Sequence, residues 1–351
     1  MIIIGCDFHT RYQEIAWLDL ETGETGERRL EHAGEQVREF YGALRGQVRV
    51  GIEATGYSQW FERMLHQMGH EVWIGDAAAI RASVVRKQKT DRRDAAQVLE
   101  LLHTNRFPKI WVPTPEQRDL RQLVLHRVKL VQMRTKVQNQ LQAMAMGQGI
   151  CRKKKLWTVQ GRAELERLPL DRWAQRRRQE LLQLLDQMNE SIRELTGEVE
   201  RQARQHPDAA LLMTHPGVGP NTSLAFVLTI GPVERFARGK KIASYLGLNP
   251  SEHSSGGRQR LGSISKQGNA TMRWLLVEAG QMAVRGDADL QRVYQRLKFR
   301  KGSAVAKVAV ARKLAVRLYW MLRDRCDYAT LVRTPGSSSS AVVPEESESG
   351  R

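Results

Sequence analysis

Two aspartates stand three residues apart in the run KTDRRDAAQVLELL, residues 89–102, crowded by Lys87, Lys89, Arg92 and Arg93. Asp91 and Asp94 come just before Ala95, Val98, Leu99 and Leu102, whose spacing predicts a helix, so both carboxylates share the face of its first turn. Helix starts favour negative charge, and an N-cap at Asp91 or Asp94 would account for the pair taken alone. Two more acids end strand-like runs: Asp7 closes IIIGC and Glu53 closes VRVGI. If the fourth strand lies beside the first, Asp7, Glu53, Asp91 and Asp94 converge on one sheet edge. Unpaired carboxylates so gathered raise one another's pKa and call for a counter-charge. Hard oxygen ligands suit two divalent ions, Mg2+ or Mn2+. Two such ions about 3.5–4 Å apart can hold a phosphodiester, activate the attacking oxygen and stabilise the leaving one.

The elements that must position these acids follow from the hydrophobic pattern. Residues 2–7 form a buried strand, 14–18 alternate, and the turn at 21–24 leads to a third strand ending near Leu30. Helices over 34–44 and 60–68 separate strands at 48–52 and 71–74. The expected order is βββαβαβα, an α/β domain with a mixed sheet. From Pro115 the pattern is helical: Leu120, Val124, Val128, Val131, Val137, Leu141 and Met144 line one face of a long helix that Gly147 and Gly149 end. Lys153, Lys154 and Lys155 form a basic joint. Leu181, Leu185, Met188, Ile192, Leu195 and Val199 keep a four-three spacing, the seam of a short antiparallel hairpin or coiled coil within the chain or between subunits, with an ordinary core helix as the alternative.

His206-Pro207-Asp208 starts a third region, in which PGVG at 216–219 is either a phosphate-meeting hairpin or an interhelical turn. A Gly- and Ser-rich stretch spans 250–268. Residues 304–322 are amphipathic, with Lys307, Arg312, Lys313 and Arg317 on the polar face, and 334–351 have no core-forming content. The expected domains are 1–148 with its trailing helix, a helical coiled-coil region 149–205, a mainly α-helical domain 206–333, and a disordered tail 334–351.

The chain has 351 residues, 56 Lys and Arg against 38 acids, a formal charge of +18 and a pI near 10.2. This surface suits a polyanion, nucleic acid first and an acidic membrane surface second, with steep salt dependence. No stretch of about twenty uncharged apolar residues occurs, and Met1-Ile2-Ile3-Ile4 runs into Gly5-Cys6-Asp7 without a signal-peptide core. The expectation is a soluble, cytoplasmic protein with no membrane partner. Cys6, Cys151 and Cys326 are dispersed, which argues against a disulfide framework or a zinc knuckle.

The pieces GCDFH at 5–9, GIEATGY at 51–57 and KTDRRDA at 89–95 resemble the first domain of the DEDD transposases of bacterial insertion sequences. The likeness continues through PGVGPNTSLAFVLTIGPVERFARGKKIASYLGLNPSEHSSGG and ISKQGNATMRWLLVEA, so it spans nearly all of residues 1–325 in order. That group is the bridge-RNA-guided recombinases. The resemblance implies an RNase H/RuvC-like first domain, a metal-binding tetrad at Asp7, Glu53, Asp91 and Asp94, and a C-terminal transposase domain with a catalytic serine. That serine falls on Ser255, with Ser254 as competitor because the doublet leaves the register open by one. The residues agree in type: a hydroxyl in a Gly-rich loop near Lys240, Lys241, Arg258 and Arg260 can approach a phosphate closely. His253 is a candidate phosphate contact, and no His, Asp and Ser spacing suggests a hydrolase triad.

By the same resemblance Ser255 would form a phosphoserine link to DNA. The partners would be donor and target DNA and a structured guide RNA, and dimers would assemble to a tetramer in a bacterial cytoplasm, associated with the nucleoid. Lys87, Lys89, Arg92, Arg93 and Lys153 to Lys155 would join the nucleic-acid contacts. One departure is Phe8-His9-Thr10-Arg11, where many relatives carry a lysine; Arg11 is the candidate replacement. The rival readings are a RuvC-like metal-dependent nuclease or junction resolvase, and a nucleic-acid-binding scaffold without catalysis.

Overall fold

The computed structural model describes residues 1–83, 90–152, 154–253 and 260–333, in two compact units, Met1–Val112 and Pro113–Arg351. The first holds strands β1 (Ile2–Phe8), β2 (Tyr12–Asp19) and β3 (Thr25–Glu31), helix α1 (Gln36–Ala43), strand β4 (Val48–Glu53), helix α2 (Gln59–Gln67), strand β5 (Glu71–Gly75) and helices α3 (Ala77–Ala82) and α4 (Asp91–His103). The sheet order is β3-β2-β1-β4-β5, antiparallel across β1, β2 and β3 and parallel across β1, β4 and β5. The mixed sheet is the one expected, with β4 beside β1. The short helix α3 has no counterpart in the hydrophobic pattern; Asp76 caps it, accepting from the backbone N–H groups of Ala78 and Ala79 at 2.8 and 3.0 Å.

β1 is covered on both faces, which explains its unbroken apolar run. Ile4, Cys6 and Phe8 face a core with Tyr41, Ile52, Phe61 and Leu65, whereas Ile3 joins Val98, Leu101 and Leu102 of α4. Gly5 and Gly51 sit side by side in the register of β1 and β4. A Cβ at Gly5 would lie 2.3 Å from the Ala95 carbonyl oxygen and the Leu99 nitrogen, and one at Gly51 2.8 Å from Leu102 Cδ1. The two glycines therefore let α4 lie against the strand backbones. Asp7 follows Gly5 at strand period two, on the face that α4 covers.

The second unit is built from α5 (Pro115–Gly147), α6 (Val159–Glu166), α7 (Arg172–Gln205), α8 (Pro207–Leu212), α9 (Pro220–Ile230), α10 (Gly239–Tyr245), the hairpin β6 (Pro250–Glu252) and β7 (Leu261–Ile264), α11 (Ala270–Gly286), α12 (Ala288–Arg323) and α13 (Tyr328–Arg333). Thr114 and Gln117 form a capping box at the start of α5. α5 and α7 run antiparallel: Arg127 donates to Thr196 at 3.2 Å, Arg134 to Asn189 at 3.4 Å and Arg177 to Gln140 at 2.9 Å. Leu182, Leu185, Met188 and Ile192 thus pack within the chain against Val137, Leu141 and Ala145. The long helix that the sequence pattern attaches to residues 1–148 packs here, among the helices of the second unit.

α9 is buried without a break from Thr222 to Leu228, at the centre of a core shared with α11 and α12. The PGVG segment is the turn before it. Gly217 has φ 83°, and a Cβ there would meet the Ala283 nitrogen at 2.3 Å, so close packing on α11 accounts for this glycine. α12 breaks at Gly302, with φ 83° and ψ 165°. Of the stripe expected on its polar face, Lys313 and Arg317 are held inside the unit: Asp289 accepts them at 2.8 and 2.6 Å, and Arg317 also pairs with buried Asp287. Tyr328 donates to Asp287 at 2.9 Å, and buried His215 lies 4.0 Å from the same carboxylate while its Nδ1–H donates to the Pro216 carbonyl at 2.8 Å. No described helix is long and apolar enough to cross a membrane.

Candidate active site

The carboxyl end of β1 and the amino end of α4 build one acidic cluster. Asp7 is followed two residues later by His9, whose Nε2–H donates to Asp7 Oδ2 at 2.9 Å and lies 3.5 Å from Asp91 Oδ2. Tyr12, the first residue of β2, donates its phenol to Asp91 Oδ2 at 2.8 Å and stacks on the His9 ring with centroids 4.6 Å apart. Arg29 of β3 lies over the tyrosine ring, 3.6 Å from its centroid, and is itself held by Glu31 at 2.8 Å. One ligand atom each from Asp7, His9 and Asp91 lies within 4.8 Å of the others, the three-residue set among the described residues with metal-binding spacing. Two carboxylate oxygens and an imidazole nitrogen form a donor set that a hard or borderline divalent ion accepts.

Electrostatics point the same way. Burial pushes the Asp7 carboxyl above its ordinary range, and Asp94 and then Asp91 add repulsion, while the His9 imidazole opposes them. Its bond to Asp91 raises the Tyr12 phenol, because removing that proton would set two anions side by side. Glu53 ends β4, the next strand, and its Oε1 is engaged by Arg81 at 3.3 Å. Glu53 therefore shares the sheet edge but stands outside the three-residue set. Asp94 lies one turn beyond Asp91 on α4, near enough to act on the charge of Asp7.

The cap of α4 is Thr90, which accepts from the Arg93 nitrogen, so neither aspartate serves as the N-cap. Arg92 and Arg93 are exposed beside the two aspartates on α4; in the second unit Lys155, Lys240 and Lys241 at the start of α10, His253 and Arg260 are exposed. Arg11 is exposed and makes no ion pair among the described residues; the nitrogen that meets the acids belongs to His9. Lys154 opens a short 3-10 turn ending at Trp157. Lys87, Lys89, Lys153, Ser254, Ser255 and Arg258 lie outside the described residues. His253 and Arg260 flank the last three and are joined by a backbone bond of 2.9 Å. Sequence reasoning missed His9 and Tyr12 as members of the site. The Asp7-x-His9 spacing carried a signal for the first, since residues two apart on a strand share a face; Tyr12 had none, because its place depends on the β1–β2 register.

The chain is similar to known transposases in both of its units. The family model described as Transposase, for the DEDD domain of the IS110 kind, matches residues 4–147, and that described as Transposase IS116/IS110/IS902 family matches residues 209–295. The chain is 30% identical to a "Probable family 20 transposase" of Pseudomonas aeruginosa, over 92% of this chain and 96% of that protein. It is 27% identical to the transposase for insertion sequence element IS1111A of Coxiella burnetii, over 79% and 78%. It is 29% identical to the transposase for insertion sequence element IS1328 of Yersinia enterocolitica, over 78% and 83%. Similarity that runs through both units and through the strand and helix that carry Asp7 and Asp91 identifies the chain as a member of the IS116/IS110/IS902 family of transposases.

Proposed function

We propose that this insertion-sequence transposase cuts DNA at the acidic cluster of its first unit and rejoins it through a phosphoserine at Ser255, guided by a structured bridge RNA. The observation that carries the reading is the meeting of Asp7, His9 and Asp91 within 4.8 Å at the end of the central strand. The order β3-β2-β1-β4-β5 supports an RNase H/RuvC-like domain, and the charge of +18 supports a load of both DNA and RNA. Asp7, His9 and Asp91 would hold magnesium or manganese, with Asp94 and Glu53 as further oxygen donors for a second ion. When bound, such ions neutralise the phosphate and polarise its oxygens. Tyr12 and His9 orient the Asp91 and Asp7 carboxylates through their hydrogen bonds.

Ser255 Oγ attacks the scissile phosphorus, the Oγ–P bond forms as the P–O3′ bond breaks, and the departing oxygen takes up a proton. A 3′ hydroxyl of the exchanged strand then attacks the same phosphorus and releases the serine as a free hydroxyl. Serine and acids come from different units, and under the proposed reading a tetramer built of dimers, as the resemblance implies, brings them to one phosphate. Element-end DNA incubated with magnesium and analysed on denaturing gels tests this. Ser255→Ala should abolish the covalent protein–DNA adduct and leave DNA binding intact; loss in Ser254→Ala alone moves the nucleophile by one residue. Free 5′ phosphate ends without an adduct would replace the mechanism with hydrolysis by water.

A further inference from the structure

The break in α12 at Gly302 makes an elbow, and every residue from Lys298 to Val305 on it is exposed. At its base Leu290, Val293, Tyr294 and Val310 pack with Ala283 and Val284. Beyond that base the elbow carries Phe299, 94% exposed, the barest large apolar side chain among the described residues. Arg296, Lys298, Arg300 and Lys301 surround it, and none makes an ion pair among the described residues. Neighbouring cations behave otherwise: Arg292, Lys313 and Arg317 all pair with Asp289. No acidic residue stands between Asp289 and Asp324, so the elbow has no acid of its own helix to turn to.

A bare aromatic ring gains by burial, and the cations around it select an anionic partner. A second copy of the elbow would bring like charge against like. A lipid surface needs one apolar helix face, but the cations at 296, 298, 300 and 301 span about 200° of the circumference at 100° per residue, and the remaining arc sets Phe299 among Gln291, Arg292 and Gln295. A duplex offers an apolar slot between two phosphate rows once a base step opens. Resting on the reading that this chain acts on DNA, we propose that the elbow is a DNA-docking arm: Phe299 wedges into a base step of duplex DNA while Arg296, Lys298, Arg300 and Lys301 contact the flanking phosphates.

The test uses the full chain and a fluorescently end-labelled duplex from the element's end, with anisotropy for affinity and end-to-end energy transfer for bending. Phe299→Ala should weaken binding about 10-fold, the loss of one anchored apolar side chain, and return the duplex to the length of free DNA. Phe299→Leu, still a wedge, should keep most of both. The double variant Lys298→Gln/Arg300→Gln should lower the slope of log affinity on log salt by about 1.8, or about 0.9 for each phosphate no longer neutralised. Unaltered melting temperatures in all variants would show that the fold is intact. Unchanged affinity and bending in Phe299→Ala would overturn the proposal. So would a loss confined to self-association in sedimentation, or to binding of phosphatidylserine vesicles. Wild-type protein that forms no adduct yet binds and bends the duplex through Phe299 would retire the proposed chemistry and leave the arm standing.

Discussion

Asp7 carries an unfavourable charge before any ion arrives. Its pKa is raised by burial and by Asp94 and Asp91, so the folded chain holds that proton to higher pH than the unfolded chain does. As pH rises from the ordinary carboxyl value through the folded one, this group subtracts stability. Asp7→Asn should therefore raise the melting temperature of metal-free protein near neutral pH. Under the proposed metal site, magnesium should raise the melting temperature of the parent protein and not that of Asp7→Asn, and thermal melts with and without the ion check both. Tyr12→Phe leaves Asp91 without its 2.8 Å donor and should weaken divalent binding about 10–100-fold, as loss of a group that orients a metal ligand does; titration calorimetry reads it. Asp7, Asp91 and Asp94 were legible in the sequence because an acid at a strand end and a spaced pair at a helix start are local patterns. His9 and Tyr12 were less so, because their meeting with Asp91 joins distant parts of the chain, 79 positions apart for the tyrosine, through β-strand register.

Among the elements, α4 depends most on what it covers. With the Ala95 carbonyl and the Leu99 nitrogen 2.3 Å from any Cβ at Gly5, Gly5→Val must push the helix outward. The expected destabilisation is about 1–3 kcal/mol, the usual range for overpacking, measured by urea denaturation; under the proposed function, strand cutting should fall beyond what stability explains because Asp91 moves with the helix. The strand order was readable from alternation and run length, and the long helices from their apolar spacing. The polar face of α12 misled in part: its cations look alike in the sequence, and only the turn at Asp287 and Asp289 shows that Lys313 and Arg317 neutralise internal acids. PGVG was open between two uses, and the contact of Gly217 with α11 supplies a packing reason that no short motif contains.

For the molecule as a whole, acid tolerance turns on a buried histidine in the second unit. Burial, helped by nearby Arg317, depresses His215 to about 4, against the pull of the Pro216 carbonyl and Asp287. The unfolded chain takes up this proton near 6.5 and the folded chain resists it. Stability from this source is present above pH 6.5 and drains away as pH falls from 6.5 toward 4, by ~3 kcal/mol at most. His215→Gln should flatten that limb of the stability profile, which denaturant melts across pH 4–7 would reveal. The meeting of Asp7 with Asp91 has a consequence for the cell that makes this protein. The first acid leaves the ribosome long before the second, so under the proposed function a translation product halted short of α4 would hold one jaw of a two-jawed tool and have no means to nick the genome that encodes it.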